Sequence, residues 1–198
     1  MGIHAALKHR TSYKYERRIE LGPQIIRLRP APHTRTKILS YSLRVEPEQH
    51  FLNWQQDPFG NWLARLIFPE KSDHFEILVD VVADLEAVNP FDFFLEGDAE
   101  HAPFTYDEQT LKELAPYLEL IPGGAKLDAL VQELSAELQR PQDYRTVDFL
   151  VDANRAVQER VQYAIRMEPG VQTPEQTLDL AVGSCRDSAW LLIAALRR

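Results

Sequence analysis

The sequence predicts an α+β protein, with an antiparallel β-sandwich or barrel in the first half and helices in the second. Two observations carry this. Up to about residue 90, apolar and aromatic residues alternate with polar ones at a period of two, as on a strand with one covered face. Beyond it, apolar residues recur at helical spacing. The expected organisation is a β domain over 1–95, a connector with helices over 96–145, and a third region over 146–198.

Leu7, His9, Thr11, Tyr13 and Tyr15 mark a first strand, and Leu39, Tyr41, Leu43 and Val45 a second. Leu52 and Trp54 precede the turn Asp57-Pro58-Phe59-Gly60-Asn61, and Trp62, Ala64, Leu66 and Phe68 follow it, which predicts a hairpin. Phe75, Ile77, Val79 and Val81 make a further strand. Leu78 and Val82 are apolar as well, so both of its faces are expected to be covered. Trp54 and Trp62 read as packing residues. Asn89 to Phe94 reads as an irregular connector. The stripe Leu127, Leu130, Val131, Leu134 and Leu138 predicts a helix after Gly123-Gly124, ended by Pro141. A second helix is expected from Thr146, with Leu150, Val157, Val161 and Ala164 on one face and Glu168-Pro169-Gly170 as its stop. Residues 171–183 read as a loop with a turn of helix around 175–178.

Composition narrows the function. Of 198 residues, 44% are hydrophobic, enough for one sizeable core or two small ones. There are 30 acidic and 22 basic residues, a net charge of -8, which argues against nucleic acid as a partner. Arg27 and Arg29 read as solvated arginines at a strand edge. No apolar run approaches the ~20 residues of a membrane span, and the N-terminus lacks the pattern of a signal peptide. One cysteine excludes an intrachain disulfide. Together these point to a cytoplasmic protein that works without nucleic acid or membrane. Asp92, Glu96, Asp98 and Glu100, near His101, read as a solvated acidic loop rather than a metal site.

The chemistry concentrates at Gly183-Ser184-Cys185-Arg186-Asp187. Ser184 and Asp187 have capping-box spacing, with Ser184 at the N-cap and Asp187 at N3. Cys185 then falls at N1, where unpaired N–H groups and the helix dipole favour a thiolate. The same N–H groups suit an oxyanion. Arg186 supplies positive charge beside the thiol. Asp187, which would oppose a thiolate, is expected to turn into the cap or pair with Arg186. Tyr163 and Gln172 are weaker candidates as oxyanion donors. The following helix, Ala189 to Leu196, is apolar without a break and is expected to be buried all round. With so little chain after Leu196 to cover it, the sequence reads as stopping inside a larger fold.

The segment from Gly183 to Trp190 resembles the nucleophile motif of bacterial transglutaminase-like proteins, which are papain-like cysteine enzymes. Pro169-Gly170-Val171-Gln172-Thr173-Pro174-Glu175-Gln176-Thr177-Leu178 is similar to the stretch those proteins carry before their cysteine. Leu21-Gly22-Pro23-Gln24, Arg27-Leu28-Arg29-Pro30, and Asn53 to Asn61 resemble their N-terminal domain. The resemblance implies that residues 146–198 are the first part of a papain-like catalytic domain. It implies a Cys185 nucleophile acting on amide or peptide bonds of a protein or peptide substrate through a thioester, with hydrolysis favoured over crosslinking. No metal or organic cofactor is needed. It also implies a later His before Ala-Trp and a later Asp before Pro. Neither follows Cys185, and His4, His9, His33, His50, His74 and His101 all precede it. The chain is therefore expected to lack its general base, to depend on the remaining C-terminal part of the catalytic domain, and to be inactive as it stands. The alternative is a non-catalytic protein-binding or scaffold module.

Overall fold

Alternation at a period of two produces the expected strands. In the computed structural model, which describes residues 2–86, 89–138 and 144–198, they form two three-stranded antiparallel sheets. The chain divides into two compact units, Met1–Asn89 and Pro90–Arg198. In the first unit, β1 (Ile3–Ile19) and β3 (Lys37–Glu46) flank β6 (Ser72–Leu85). The register sets His9 and Leu43 opposite Val79. β2 (Gln24–Ile26) and β4 (Phe51–Gln56) flank β5 (Trp62–Ile67). Phe75, Ile77 and Val79 of β6 are buried, while Leu78 and Val82 on its other face are half-buried. Ile26, Val45, Ala64, Leu66 and the β6 residues form one hydrophobic cluster drawn from both sheets. Burial of this kind stabilises by about 25 cal/mol per Å² of apolar surface.

The β4–β5 hairpin turns on Asp57. Its carboxylate accepts from the N–H groups of Phe59 (3.0 Å) and Asn61 (2.9 Å) and from the Asn61 side chain. These bonds hold the carboxyl below its ordinary range.

Arg29 is not a solvated edge residue. Its guanidinium carbon lies 4.4 Å from the Trp62 ring centre, 4.9 Å from Trp54 and 5.5 Å from Tyr41. A delocalised, weakly hydrated cation gains more over an aromatic face than at an open edge.

The second unit is mainly helical: α1 (Glu108–Leu118), α2 (Ala125–Leu138), α3 (Thr146–Arg160), α4 (Pro174–Leu180) and α5 (Cys185–Leu196). Asp107 caps α1 by accepting from the N–H groups of Gln109 and Thr110. Leu127, Leu130 and Leu134 of α2 are buried as their spacing requires. They cluster with Ala153 and Val157 of α3 and with Leu191, Ala194 and Ala195 of α5. Pro141, the expected end of α2, lies outside the described residues.

Two expectations are corrected. The helix from Thr146 ends at Arg160, not near Glu168. Val161 is extended (φ -124°), and the chain enters β7 (Gln162–Tyr163), which pairs in parallel with β8 (Val182–Gly183). A β-branched residue gives up little by leaving a helix, and the new pairing supplies bonds from Gln162 N–H to Ala181 O (2.8 Å) and Ala164 N–H to Gly183 O (2.9 Å). On α3 the buried residues are Thr146, Ala153 and Val157, while Leu150 is exposed. Nor is α5 buried all round: Leu191, Ala194 and Ala195 are covered, whereas Trp190, Ile193 and Leu196 are exposed. The described helices cover only one side of it.

Candidate active site

Cys185 is the first residue of α5 and is exposed. The parallel pair β7–β8 delivers the chain to this point, and α4 lies on the connection between its strands. Thr173 caps α4 in a full capping box with Gln176. Ala181 closes α4 in the left-handed region (φ 52°), which turns the chain back into β8.

Gly183 sits where a side chain would be crowded. A Cβ there would lie 3.0 Å from the Asp187 Cβ and 3.4 Å from Val161. The absence of a side chain lets β8 pass close under the first turn of α5.

Asp187 is fully buried. Its carboxylate accepts from Ser184 N–H (2.8 Å), Ser184 Oγ (2.8 Å), Gln172 N–H (2.9 Å), Arg166 Nε (3.0 Å) and Arg166 Nη2 (3.3 Å). The Arg166 guanidinium first, then the N–H groups of Gln172 and Ser184 and the Ser184 hydroxyl, hold this carboxyl far below its ordinary range against the opposing effect of burial. The bond from Ser184 N–H closes the capping interaction expected from the spacing.

The cation that pairs with Asp187 is Arg166, not Arg186. Arg186 reaches outward, and its Nη2 donates to Arg166 O at 3.4 Å. A buried carboxylate needs a partner that arrives from inside the fold, and Arg186 follows directly on an exposed residue at the helix start. The apolar spacing places Arg166 in a longer α3, which hides its pairing with Asp187 from the sequence. One signal was available: a helix-capping aspartate in an apolar setting requires a cation. Arg166 also donates to Gly170 O (3.1 Å), so one side chain ties the loop after β7 to the start of α5.

Gln172 contributes its backbone N–H to Asp187, and its side-chain oxygen accepts from Thr177 Oγ1 (3.1 Å). Tyr163 is exposed. His101 is the one histidine of the second unit. It forms an isolated antiparallel bridge with Arg145 and lines a cavity with Phe91, Phe93 and Phe94. Among the described residues, no group of three or more His, Cys, Asp or Glu side chains is placed to hold a metal ion. No helix among them is long and apolar enough to cross a membrane.

The arrangement presents an exposed thiol on a helix start whose geometry is clamped from beneath. The first N–H groups of a helix have no intrahelical acceptor. Here the N–H groups of Asp187 and Ser188 already donate to Ser184 O, so those of Cys185 and Arg186 are the ones suited to a developing oxyanion.

Residues 5–84 match the family described as the bacterial transglutaminase-like N-terminal region. No curated protein matches the chain in sequence. The fold is similar to the crystal structure of a "putative cysteine protease" from Cytophaga hutchinsonii, with a TM-score of 0.59 at 18% identity. That similarity covers the whole of this chain and 65% of the other, so the 198 residues span about two thirds of the length of that protein. Residues 5–84 thus resemble the N-terminal region of bacterial transglutaminase-like proteins, and the chain as a whole shares its fold with the Cytophaga protein.

Proposed function

We propose that Cys185 is the nucleophile of a cysteine enzyme that cleaves amide or peptide bonds. The observation that carries this reading is an exposed thiol at the first position of a helix held by a buried, five-bonded aspartate. The thiolate adds to the amide carbonyl carbon, and helix-start N–H groups receive the oxyanion. The C–N bond then breaks and the amine leaves with a proton from a general acid. A thioester remains on Cys185. Water adds to it, and the thiol departs as the carboxylic acid forms. Hydrolysis is favoured over crosslinking.

The general acid and base, a His with an orienting Asp, are proposed to lie in a further part of the catalytic domain. This is supported by the unmatched third of the Cytophaga protein. These 198 residues alone are then inactive. A reducing, cytoplasmic setting suits a lone catalytic thiol, and the substrate is a protein or peptide.

Treating the native chain with iodoacetamide and with an activated acyl ester tests the first part. Rapid, stoichiometric modification at Cys185 by mass spectrometry is expected. A thiol that reacts only after unfolding would sink the reading. Cys185→Ser should abolish modification while changing stability by less than about 0.5 kcal/mol, because the side chain is exposed.

The exposed apolar flank of α5 (Trp190, Ile193 and Leu196) favours a second reading, a docking module. An inert Cys185 together with self-association of the chain would support that alternative.

A further inference from the structure

In the first unit, a cavity of about 430 Å³ takes no part in the thiol chemistry. Arg29, Pro30, Pro32, Lys37, Tyr41 and Trp62 are among the residues that line it, and no acidic side chain does. The Arg29 guanidinium carbon lies within 5.5 Å of the ring centres of Trp62, Trp54 and Tyr41. A guanidinium carries five N–H donors and no acceptor, and aromatic rings satisfy such donors only weakly. Among the described residues Arg29 forms no ion pair and no hydrogen bond.

Tyr41 lines the same cavity, and its hydroxyl is buried without a hydrogen-bond partner among those residues. Burial raises the Tyr41 phenol above its ordinary range, with Arg29 opposing, so the group stands as a neutral O–H donor. Buried polar groups are nearly always satisfied, and an orphan beside an unpaired cation calls for an acceptor. A planar carboxylate takes two N–H donors from one guanidinium, and apolar walls of proline and tryptophan suit the carbon chain that bears it.

We propose that this cavity binds a carboxylate carried on a peptide, with the Arg29 guanidinium and the Tyr41 hydroxyl as its donors and Lys37 adding charge. The carboxylate is a Glu or Asp side chain or a C-terminus. The inference does not depend on Cys185.

The experiment follows the three tryptophan indole N–H signals of the full chain by NMR during titration. The probes are N-acetylglutamate α-methylamide for a side-chain carboxylate, N-acetylglycine for a C-terminal one, and inorganic phosphate. Saturable shifts of the Trp54 and Trp62 signals are expected with at least one carboxylate, with Trp190 unmoved. The carboxylate that binds identifies the source. Tyr41→Phe should weaken binding about three- to tenfold without lowering the melting temperature, since it deletes an unpaired hydroxyl. Arg29→Gln should abolish binding. Three results overturn the proposal: no shift up to roughly 50 mM, which reaches beyond millimolar affinity; shifts with phosphate alone; or binding unchanged in Tyr41→Phe.

Discussion

Asp187 illustrates how one side chain joins sequence to site. Its pairing with Ser184 is local, and its pairing with Arg166 and Gln172 is not. Because its folded pKa is depressed, the stability it contributes is fully present above the unfolded carboxyl value of about 3.9. That stability is lost as pH falls from there toward the folded value. Urea unfolding of wild type between neutral pH and acid should therefore show an added loss below about pH 4, and Asp187→Asn should lack it. Asp187→Ala leaves Arg166 and two N–H groups without their acceptor and should cost on the order of 3 kcal/mol. It should also slow alkylation of Cys185 by loosening the helix start. Arg166→Gln should act in the same direction. Asp187 was legible as a cap because a capping box is a three-residue pattern. Its cation was not, since the twenty-one positions back to Arg166 are spanned by a loop, α4 and β8.

Among the elements, the helix starts separate local signals from tertiary ones. α4 is capped by its own Thr173 and Gln176. α2 is capped from outside: the Glu175 carboxylate of α4 accepts from Lys126 N–H (2.9 Å) and Leu127 N–H (3.2 Å). Gly124 permits this, since a Cβ there would lie within 3.0 Å of that carboxylate. Glu175→Ala should cost about 1 kcal/mol, the usual value of a lost cap, and should increase amide exchange in the first turn of α2. The Gly123-Gly124 pair signalled a helix start in the sequence, but the acid that satisfies it comes from a distant element. The end of α3 was missed for a related reason. The apolar stripe ran on through Val161 and Ala164, but Val161 ends the helix in an extended conformation and Ala164 N–H bonds Gly183 O beside the β7–β8 pair.

At the scale of the whole molecule, the two units carry separate cores. Leu66 and Leu191 are both fully buried, one in each. Leu→Ala at either position should cost about 2–5 kcal/mol. Calorimetry should show Leu66→Ala lowering one transition and Leu191→Ala another. A single transition shifted equally by both would show instead that the units unfold as one.

The sequence alone determined the strand half and the helical half, the Asp57 hairpin, the face of α2 that enters the core and the N1 position of Cys185. Each follows from periodicity or from chemistry within a few residues. Only the tertiary structure decided that Arg166 neutralises Asp187, that Glu175 caps α2, that Arg29 leaves the surface for three aromatic rings, and that α5 is covered on one side. Those outcomes depend on which groups meet across the fold. Buried charges and unpaired helix N–H groups require partners, and their identity is set by packing rather than by neighbours in the chain.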